Sequence, residues 1–331
     1  MATAPIPPMI APAGVDAFLA TCGWSEARVE PLAGDASFRR YFRVIGEGRQ
    51  AVLMDAPPPH EDPRPFIDIA QYLVRNGFRA PKIFAADLDR GFVLIEDFGD
   101  LQMRQHLDVA PTDAERIYRQ AIDVLVRLAD APVAELPPYD EAAYLRETRL
   151  LTEWYMPAMQ LPVDEPEYDA LWRDALAPVV NDQQVTVLRD YHAENIMLLG
   201  DGGQGIIDFQ DALIGHPAYD LVSLLQDARR DVDPALEQTM LAYYRDATGA
   251  HADFGLHYAL LGAQRNTKII GIFTRLWKRD GKGRYLGFLP RMWGLLERDL
   301  AHPGLAPLKA WFDRNIPTDV RAKSPDMVSA G

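Results

Sequence analysis

The feature that most constrains this chain is the segment Leu188–Met197, which reads LRDYHAENIM. It places Asp190 and Asn195 five positions apart in a polar stretch and then passes into an apolar run. Asp208 follows thirteen residues after Asn195, directly behind a second short apolar run. Short apolar runs bounded by polar turns predict strands, so we expect a strand–loop–strand insert over Val185–Asp211 within an otherwise helical part of the chain.

The chemistry of these three side chains suits phosphoryl transfer. A carboxylate on a loop can orient and deprotonate an attacking hydroxyl, which makes Asp190 the expected catalytic base. Oxygen ligands from an amide and a carboxylate suit a divalent metal, so Asn195 and Asp208 are expected to hold a metal that bridges nucleotide phosphates. Asp and Asn are common in loops, and each residue alone is a weak signal. The ordered set at this separation is specific.

The two halves of the chain differ in their hydrophobic patterning. The first hundred residues predict four strands and one amphipathic helix, at Phe42–Val44, Ala51–Met54, Lys82–Ala86, Phe92–Glu96 and Pro65–Asn76. The remainder predicts long helices, including Ala142–Trp154, Tyr168–Val180, Leu221–Arg229, Pro234–Thr248 and Leu256–Lys278. Thr112 and Glu115 read as a capping box for an earlier helix. We therefore predict an α+β fold with a strand-rich lobe at 1–97, a helical lobe at 98–316 and a flexible tail at 317–331.

Composition excludes several classes of protein. The 331 residues are 48% hydrophobic, which is enough for a core, and the net charge of −14 disfavours nucleic acid and anionic lipid as partners. The single cysteine, Cys22, excludes an internal disulfide and a cysteine-based zinc site. The first residues lack the pattern of a signal peptide, and no run of about 18 apolar residues occurs. We expect a cytoplasmic monomer that acts on a small molecule.

These motifs resemble the catalytic loop and metal-binding aspartate of the aminoglycoside phosphotransferase-like kinases, which are relatives of protein kinases. The resemblance extends from about residue 30 to 300. It implies a two-lobed, protein-kinase-like fold, with a small antiparallel sheet and one helix in the N-lobe and a larger, mainly helical C-lobe. It also implies that Asp190 is the base, that Asn195 and Asp208 hold Mg²⁺, and that Asp220 begins a helix and braces the catalytic-loop backbone. Asp220 lies in GHPAYDL, which matches the family segment after the metal aspartate.

The same resemblance implies an ATP site in the N-terminal lobe. LAGDASFRRYFR, from Leu32 to Arg43, fits a phosphate-covering loop between two strands. The expected nucleotide contacts are Gly34, Ser37 and Arg43 in this segment and the backbone of Glu96, Asp97 and Phe98 at the hinge. The family usually places a phosphate-binding Lys on the third strand. Met54 stands near that position here, so the sequence leaves the α/β-phosphate contact unassigned.

A narrower resemblance comes from five segments taken together. They are Gly34–Tyr41, Met54–Pro58, Asp208–Ala212, Tyr219–Asp227 and Gln264–Lys268. These segments are similar to those of bacterial anomeric sugar kinases, which phosphorylate N-acetylmuramate and N-acetylglucosamine at C1 during cell-wall recycling. The resemblance implies an α-1-phosphate product.

Charge placement supports an acidic acceptor. Between Gln264 and Arg284 the chain has seven basic residues and one acid. Four of the basic residues share one helical face, at spacings of 3, 7 and 4, and we call Arg265, Lys268, Arg275 and Arg279 the basic stripe. A stripe of this kind is also what a solvated helix face looks like. N-acetylmuramate carries a lactyl carboxylate, which a facing cation would bind. The expected substrate contacts are Glu147, His192, Arg265, Lys268 and Arg275.

Two other functions stay open at this point. A kinase of the same fold acts on an aminoglycoside or on a choline-like amino alcohol, but a quaternary cation calls for an aromatic and acidic box, and the stripe is basic. The methionine at position 54 favours a non-catalytic, nucleotide-binding pseudokinase. Intact Asp190, Asn195 and Asp208 argue against that alternative.

Overall fold

The structure is a computed structural model that describes residues 9–32, 38–182 and 184–329. The strands are β1 (Arg28–Pro31), β2 (Arg40–Gly46), β3 (Arg49–Asp55), β4 (Ile83–Asp87), β5 (Phe92–Glu96), β6 (Val185–Val187), β7 (Ile196–Leu198), β8 (Gln204–Ile206) and β9 (Leu213–Gly215). The helices are α1 (Val15–Thr21), α2 (Arg64–Arg75), α3 (Met103–Val109), α4 (Ala114–Asp130), α5 (Glu141–Leu150), α6 (Met156–Ala158), α7 (Glu165–Val180), α8 (Ala218–Leu225), α9 (Pro234–Thr248), α10 (Phe254–Asp280), α11 (Leu289–Leu300), α12 (Ala306–Asn315), α13 (Thr318–Arg321) and α14 (Pro325–Ser329).

Two compact units divide the chain. Unit 1 comprises Met1–Val109 and Glu194–Asp211, and unit 2 comprises Ala110–Ala193 and Ala212–Gly331. The division differs from the predicted one, because unit 1 continues past residue 97 and takes in the β7–β8 hairpin. As a result, Asn195 belongs to unit 1 and the loop before it to unit 2.

Unit 1 contains a five-stranded antiparallel sheet in the order β1-β2-β3-β5-β4. Gly48, with φ 69°, makes the turn between β2 and β3, where a left-handed backbone favours glycine. Alternate residues of the strands, including Phe42, Leu53 and Leu94, pack with Phe18 of α1 in one apolar core. The predicted strands and the helix at Pro65–Asn76 are all present, and α1 is an addition that the sequence analysis missed.

Unit 2 is built around α10, a helix of 27 residues that contacts α5, α8 and α11. Gly271 lets α10 approach α5 closely, because a Cβ atom at this position would lie 2.3 Å from the carbonyl carbon of Leu150. Lys268 and Glu147 each lie three residues before these two contact points. The close approach therefore brings their side chains together.

Several predicted details are wrong. Thr112 lies in a short 3-10 turn, and Asp113 occupies the N-cap of α4 without a capping hydrogen bond from its side chain, so the expected capping box is not formed. The predicted strand–loop–strand insert contains three short strands instead of two: β7 and β8 form a hairpin, and β6 pairs with β9, which lies just beyond the predicted insert. The predicted helix Leu221–Arg229 ends at Leu225 instead.

The segment at 317–331, predicted to be a flexible tail, contains α13 and α14. Arg321 is buried and ties the segment down. Its guanidinium pairs with Asp313 at 2.9 Å and with Glu297 at 3.0 Å, and it donates a hydrogen bond to the carbonyl of Ile316 at 2.6 Å. The contacts of buried Arg321 therefore hold a C-terminal segment whose polar composition predicted fraying.

Across the ranges that the structure describes, no helix is both long enough and apolar enough to cross a bilayer.

Candidate active site

Asp220 holds the backbone of the predicted catalytic loop. Its carboxylate accepts hydrogen bonds from the N–H of Leu188 at 2.6 Å and from the N–H of Arg189 at 2.8 Å, which is the bracing contact that the sequence analysis expected. Burial raises the pKa of Asp220 to about 7, and these two N–H groups partly offset the rise. The brace is therefore strongest above neutral pH, where the carboxylate is ionised.

Arg189 precedes Asp190 in an unusual backbone conformation, with φ 70°. A non-glycine residue in this region is strained, and surrounding contacts must hold it there. Asp220 holds the N–H of Arg189, the hydroxyl of Ser223 donates to its carbonyl at 3.2 Å, and its guanidinium donates to Glu147. These three contacts fix the point from which the Asp190 side chain projects.

Asp190 is half-buried in unit 2 and is surrounded by positive charge. Burial raises the pKa of its carboxyl, but neighbouring charges lower it more, so the pKa lies below its usual value. The neighbours that lower it are, in order, Lys268, His192, Arg265 and Arg189. Asp190 is therefore ionised at neutral pH, as a general base that accepts a hydroxyl proton must be.

Glu147 is the centre of a buried network. Its carboxylate accepts hydrogen bonds from Lys268 at 2.9 Å, from Gln264 at 3.1 Å, and from Tyr139 and Arg189. Burial raises the pKa of Glu147, but Lys268 and Arg189 lower it to about 2. The sequence analysis expected Glu147 and Lys268 to contact substrate. In the structure they bind each other, and Glu147 anchors the side chain that precedes Asp190.

Replacing Glu147 with Ala should destabilise the protein by about 3–5 kcal/mol, because the change leaves Arg189 and Lys268 buried without their counterion. Denaturant unfolding measures the effect. Glu141→Ala on the same helix is the matched control. Glu141 pairs with Arg173 at 2.9 Å in solvent, so its loss should cost less than about 1 kcal/mol. Equal effects of the two substitutions would contradict the assignment.

The basic stripe does not form one solvated face. Arg265 is buried, and its charge acts on Asp190, His192 and Asp220. Arg275 lies further along α10, where burial and the charge of Arg279 lower its pKa. The exposed Arg279 pairs with Asp280 at 2.7 Å. The charges of Arg265 and Lys268 thus act on Asp190, whereas the charged neighbours of Arg275 are Arg279, Asp280 and Glu153.

His192 lies two residues after Asp190 and is also buried. Its Nε2 lies 3.4 Å from Nη1 of Arg229, and burial lowers its pKa. Asp227 accepts a hydrogen bond from the N–H of Ala193 at 3.2 Å. Because α8 ends at Leu225, before the predicted terminus, the chain turns and carries Asp227 to this loop.

In unit 1, Asn195 and Asp208 converge at one end of the β7–β8 hairpin. Asn195 precedes β7, Asp208 follows β8, and the N–H of Ile207 donates to the carbonyl of Asn195 at 3.0 Å. Nδ2 of Asn195 lies 3.3 Å from Oδ2 of Asp208, and Gln210 donates to Oδ1 of Asp208 at 2.9 Å. An amide and a carboxylate brought together in this way form a donor set that fits a hard divalent cation such as Mg²⁺.

Of the predicted nucleotide contacts, the structure describes Arg43 and the hinge residues Glu96, Asp97 and Phe98. Arg43 is held by two carboxylates, with Asp97 at 2.7 Å and Asp100 at 2.8 Å, which together raise the pKa of its guanidinium. The ring of Phe98 lies against Gly205 of β8, where a Cβ atom would be 2.5 Å from ring atom Cε2. The hinge residues are thereby tied to the hairpin that carries Asn195 and Asp208, and Glu96 ends β5. Gly34 and Ser37 lie outside the described residues.

Met54 is fully buried, and its side chain has no charged or hydrogen-bond-donating group that could bind a phosphate. A different cation–acid pair lies beside the start of α2. Nε of Arg39 lies 3.4 Å from Oε2 of Glu61, and Oε1 of Glu61 accepts the N–H of Phe38 at 3.2 Å. The sequence leaves two interpretations of Arg39 open, an exposed strand charge and a phosphate contact. Its partner, 22 residues away in the chain, is visible only in the fold.

Asp182, His216 and His257 bring three possible metal-ligand atoms within 4.8 Å of one another. The hydrogen bonds favour a different arrangement. The N–H of Ala218 donates to Nδ1 of His216 at 3.1 Å, which requires the proton on Nε2, and Nε2 lies 2.9 Å from Nδ1 of His257. A metal on Nε2 would move that proton to Nδ1, facing the Ala218 N–H. The two imidazoles are therefore a hydrogen-bonded pair.

Sequence reasoning missed the roles of Arg189, Tyr139 and Tyr219 around Asp190. The adjacency of Arg189 to the predicted base was an available signal. The hydroxyl of Tyr139 lies 3.2 Å from that of Tyr219, and Lys268 reaches the latter at 3.4 Å. These tyrosines come from distant parts of the chain, and no local spacing marks them.

The chain is similar to known phosphotransferases. The sequence pattern of the family described as "Phosphotransferase enzyme family" matches residues 28–254. A relative from Pseudomonas aeruginosa, named N-acetylmuramate/N-acetylglucosamine kinase, is 42% identical over 305 residues, which cover 86% of this chain and 89% of the relative. A relative of the same name from Caulobacter vibrioides is 36% identical over 351 aligned positions, covering 92% and 96%. A choline kinase from Streptococcus pneumoniae matches in structure with a TM-score of 0.59 at 16% identity, covering 88% of this chain and 97% of the other. The last match confirms the predicted protein-kinase-like fold.

Proposed function

Because this chain belongs to the phosphotransferase enzyme family, we propose that it is an ATP-dependent sugar kinase. The acceptor is the anomeric C1 hydroxyl of N-acetylmuramate, N-acetylglucosamine or both, the sugars in the names of its relatives. The product is the α-1-phosphate, and the reaction serves the recycling of peptidoglycan. A cytoplasmic location and a monomeric state stay predictions.

The observation that carries this proposal is the setting of Asp190. Its carboxyl is kept ionised by neighbouring cations, and the backbone before it is fixed by Asp220. Asp190 accepts the proton of the attacking hydroxyl and orients that oxygen toward the γ-phosphorus of ATP. A non-catalytic pseudokinase would have no need of this arrangement.

On the nucleotide side, Asn195 and Asp208 would hold Mg²⁺, which would neutralise the charge of the nucleotide phosphates. The hinge around Glu96–Phe98 would receive the adenine edge. Arg39, held by Glu61, is the candidate for the phosphate contact that Met54 cannot make. Arg43 forms ion pairs with Asp97 and Asp100, and its proposed role is to hold the hinge in place.

The charges of unit 2 argue against a choline-like acceptor. A quaternary ammonium is recognised by aromatic faces next to an acid. Tyr139 and Tyr144 stack at 3.8 Å beside Glu147, but the chain's own cations occupy this cluster. The guanidinium of Arg189 lies 5.3 Å from the Tyr139 ring centre, and Lys268 binds the carboxylate. No second function is favoured by a specific observation.

ADP release should be stimulated by N-acetylmuramate and N-acetylglucosamine and not by choline or kanamycin, because the acceptor region around Asp190 is basic. The matched control is the methyl α-glycoside of N-acetylglucosamine, whose C1 oxygen is blocked. It should not be phosphorylated, and phosphorus NMR should show the product phosphate coupled to the anomeric proton. Turnover of the blocked glycoside at the rate of the free sugar would refute transfer to C1.

A further inference from the structure

Arg265 differs from the other members of the basic stripe, all of which the structure describes. Its side chain lies in the middle of α10 and is only 5% exposed. Nη1 of its guanidinium is buried and has no hydrogen-bond partner among the described residues. A buried charged donor without an acceptor is costly, so its presence needs an explanation, and a bound anion would supply the missing acceptor.

The groups that face Arg265 belong to the catalytic loop and its support. Its positive charge acts on Asp190, on His192 and on Asp220. The guanidinium therefore lies near enough to the proposed base for the two charges to interact, and an anion bound to its buried Nη1 would be close to the reacting hydroxyl. On its own helix, Gln264 and Lys268 both donate to Glu147, and Asn266 donates to Gln226 and Asp299, so these side chains are turned to other acceptors.

The other stripe residues are paired, or lie away from the catalytic loop as Arg275 does, whose buried Nε also has no hydrogen-bond partner among the described residues. Lys268 contacts Glu147 at 2.9 Å and Tyr219 at 3.4 Å. Arg279 is exposed and paired with Asp280. Arg275 shares its surroundings with Arg279 and Asp280, away from the catalytic loop. Of the four cations, Arg265 is the one with both an unused donor and a position beside Asp190.

We propose that Arg265 binds the carboxylate of the acidic acceptor sugar and sets the preference for N-acetylmuramate over its neutral counterpart. The inference rests on the proposed function and names the specificity-determining residue of that site. The planar guanidinium can donate two parallel N–H bonds to a carboxylate, a geometry that a lysine ammonium does not offer. Lys268 in this account is a positioning residue that keeps Glu147, and through it Arg189, in place.

The test compares the ratio of kcat/KM for N-acetylmuramate to kcat/KM for N-acetylglucosamine. In Arg265→Gln this ratio should fall by about 10- to 150-fold, the range for loss of a charge-assisted hydrogen bond. Any effect of the lost charge on Asp190 acts on both sugars and cancels in the ratio. Arg265→Lys should recover part of the ratio. Arg279→Gln, which removes the same charge from an exposed position of the same helix, should leave the ratio unchanged.

A third substrate isolates the charge. The primary amide of N-acetylmuramate keeps the lactyl group but carries no carboxylate, so Arg265→Gln should affect it no more than N-acetylglucosamine. Equal losses on all three sugars would overturn the proposal and show that the guanidinium acts on the transferred phosphoryl group or on Asp190. If the wild-type protein phosphorylates neither sugar, the proposed function is refuted. In that case, calorimetry tests Arg265 separately. Weaker binding of N-acetylmuramate by Arg265→Gln would support its role as the carboxylate contact, and unchanged binding would refute it.

Discussion

Asp190→Asn should lower kcat for N-acetylmuramate and N-acetylglucosamine by about 100-fold or more. The protein should stay folded and bind nucleotide with nearly its original affinity. The amide keeps the size of the side chain but cannot accept the hydroxyl proton, so both deprotonation and the strongest positioning contact are lost. Steady-state ADP release gives kcat, and calorimetry gives the dissociation constant for nucleotide.

Asp174→Asn is the matched control for this substitution. Asp174 is exposed on α7 in the same unit, so the same chemical change there should leave kcat unaltered. If Asp190→Asn retained more than a tenth of the wild-type kcat, Asp190 would not be the base. A large fall in the melting temperature of Asp190→Asn would indicate instead that Asp190 is needed to neutralise the buried cations around it.

Asp208→Asn should weaken nucleotide binding in the presence of Mg²⁺ by about two orders of magnitude, because a metal that bridges phosphates contributes several kcal/mol to holding them. The same substitution should hardly affect affinity measured in EDTA. Asn is chosen because Asp208 has φ 61°, a conformation that Asn tolerates and that strains Ala. Asp208→Ala should show the same loss of Mg²⁺ dependence together with reduced stability.

Calorimetric titration with ATP, with and without Mg²⁺, separates these effects. Asp201→Ala serves as the control. Asp201 lies in the turn of the same hairpin, where it forms an exposed pair with Arg79 at 2.8 Å and accepts the N–H of Gly203 at 2.9 Å, so its loss should change neither affinity nor Mg²⁺ dependence. An Asp208→Asn protein that still bound ATP more tightly with Mg²⁺ than in EDTA would remove Asp208 from the metal site.

Glu147 also contributes to the pH dependence of stability. Its pKa is about 2 in the folded protein, below the ordinary value of 4.5. A carboxyl with a depressed folded-state pKa stabilises the fold fully above the unfolded-state value, and this contribution is lost as the pH falls through the folded-state value. The acid limb of the stability profile between pH 4.5 and about 2 therefore depends in part on Glu147.

Much of the fold could be predicted from the sequence because its elements have strong local signals. The strands β2 and β3 are short, mainly apolar runs on either side of a glycine turn, and α2 repeats its apolar residues at helical spacing. Boundaries set by tertiary contacts could not be predicted. The early end of α8 depends on Asp227 reaching the N–H of Ala193, and the order of the last residues depends on buried Arg321.

For the candidate site, the proposed chemistry could be predicted from local sequence. The spacing of Asp190, Asn195 and Asp208 is a local property of one segment, and it points to phosphoryl transfer without any knowledge of packing. The family resemblance added the expected brace by Asp220, which follows within the same stretch of chain.

Which cations are available to a ligand depends on long-range packing and could not be predicted from the sequence. In the sequence, Arg265 and Lys268 are equivalent members of one helical face, since both are basic and lie three residues apart. The close approach of α10 to α5 at Gly271 places Lys268 against Glu147, while the buried Nη1 of Arg265 has no hydrogen-bond partner among the described residues and the charge of Arg265 acts on Asp190. The free energy of a buried charge depends on the partners that long-range packing brings to it, and no spacing along one helix records those partners.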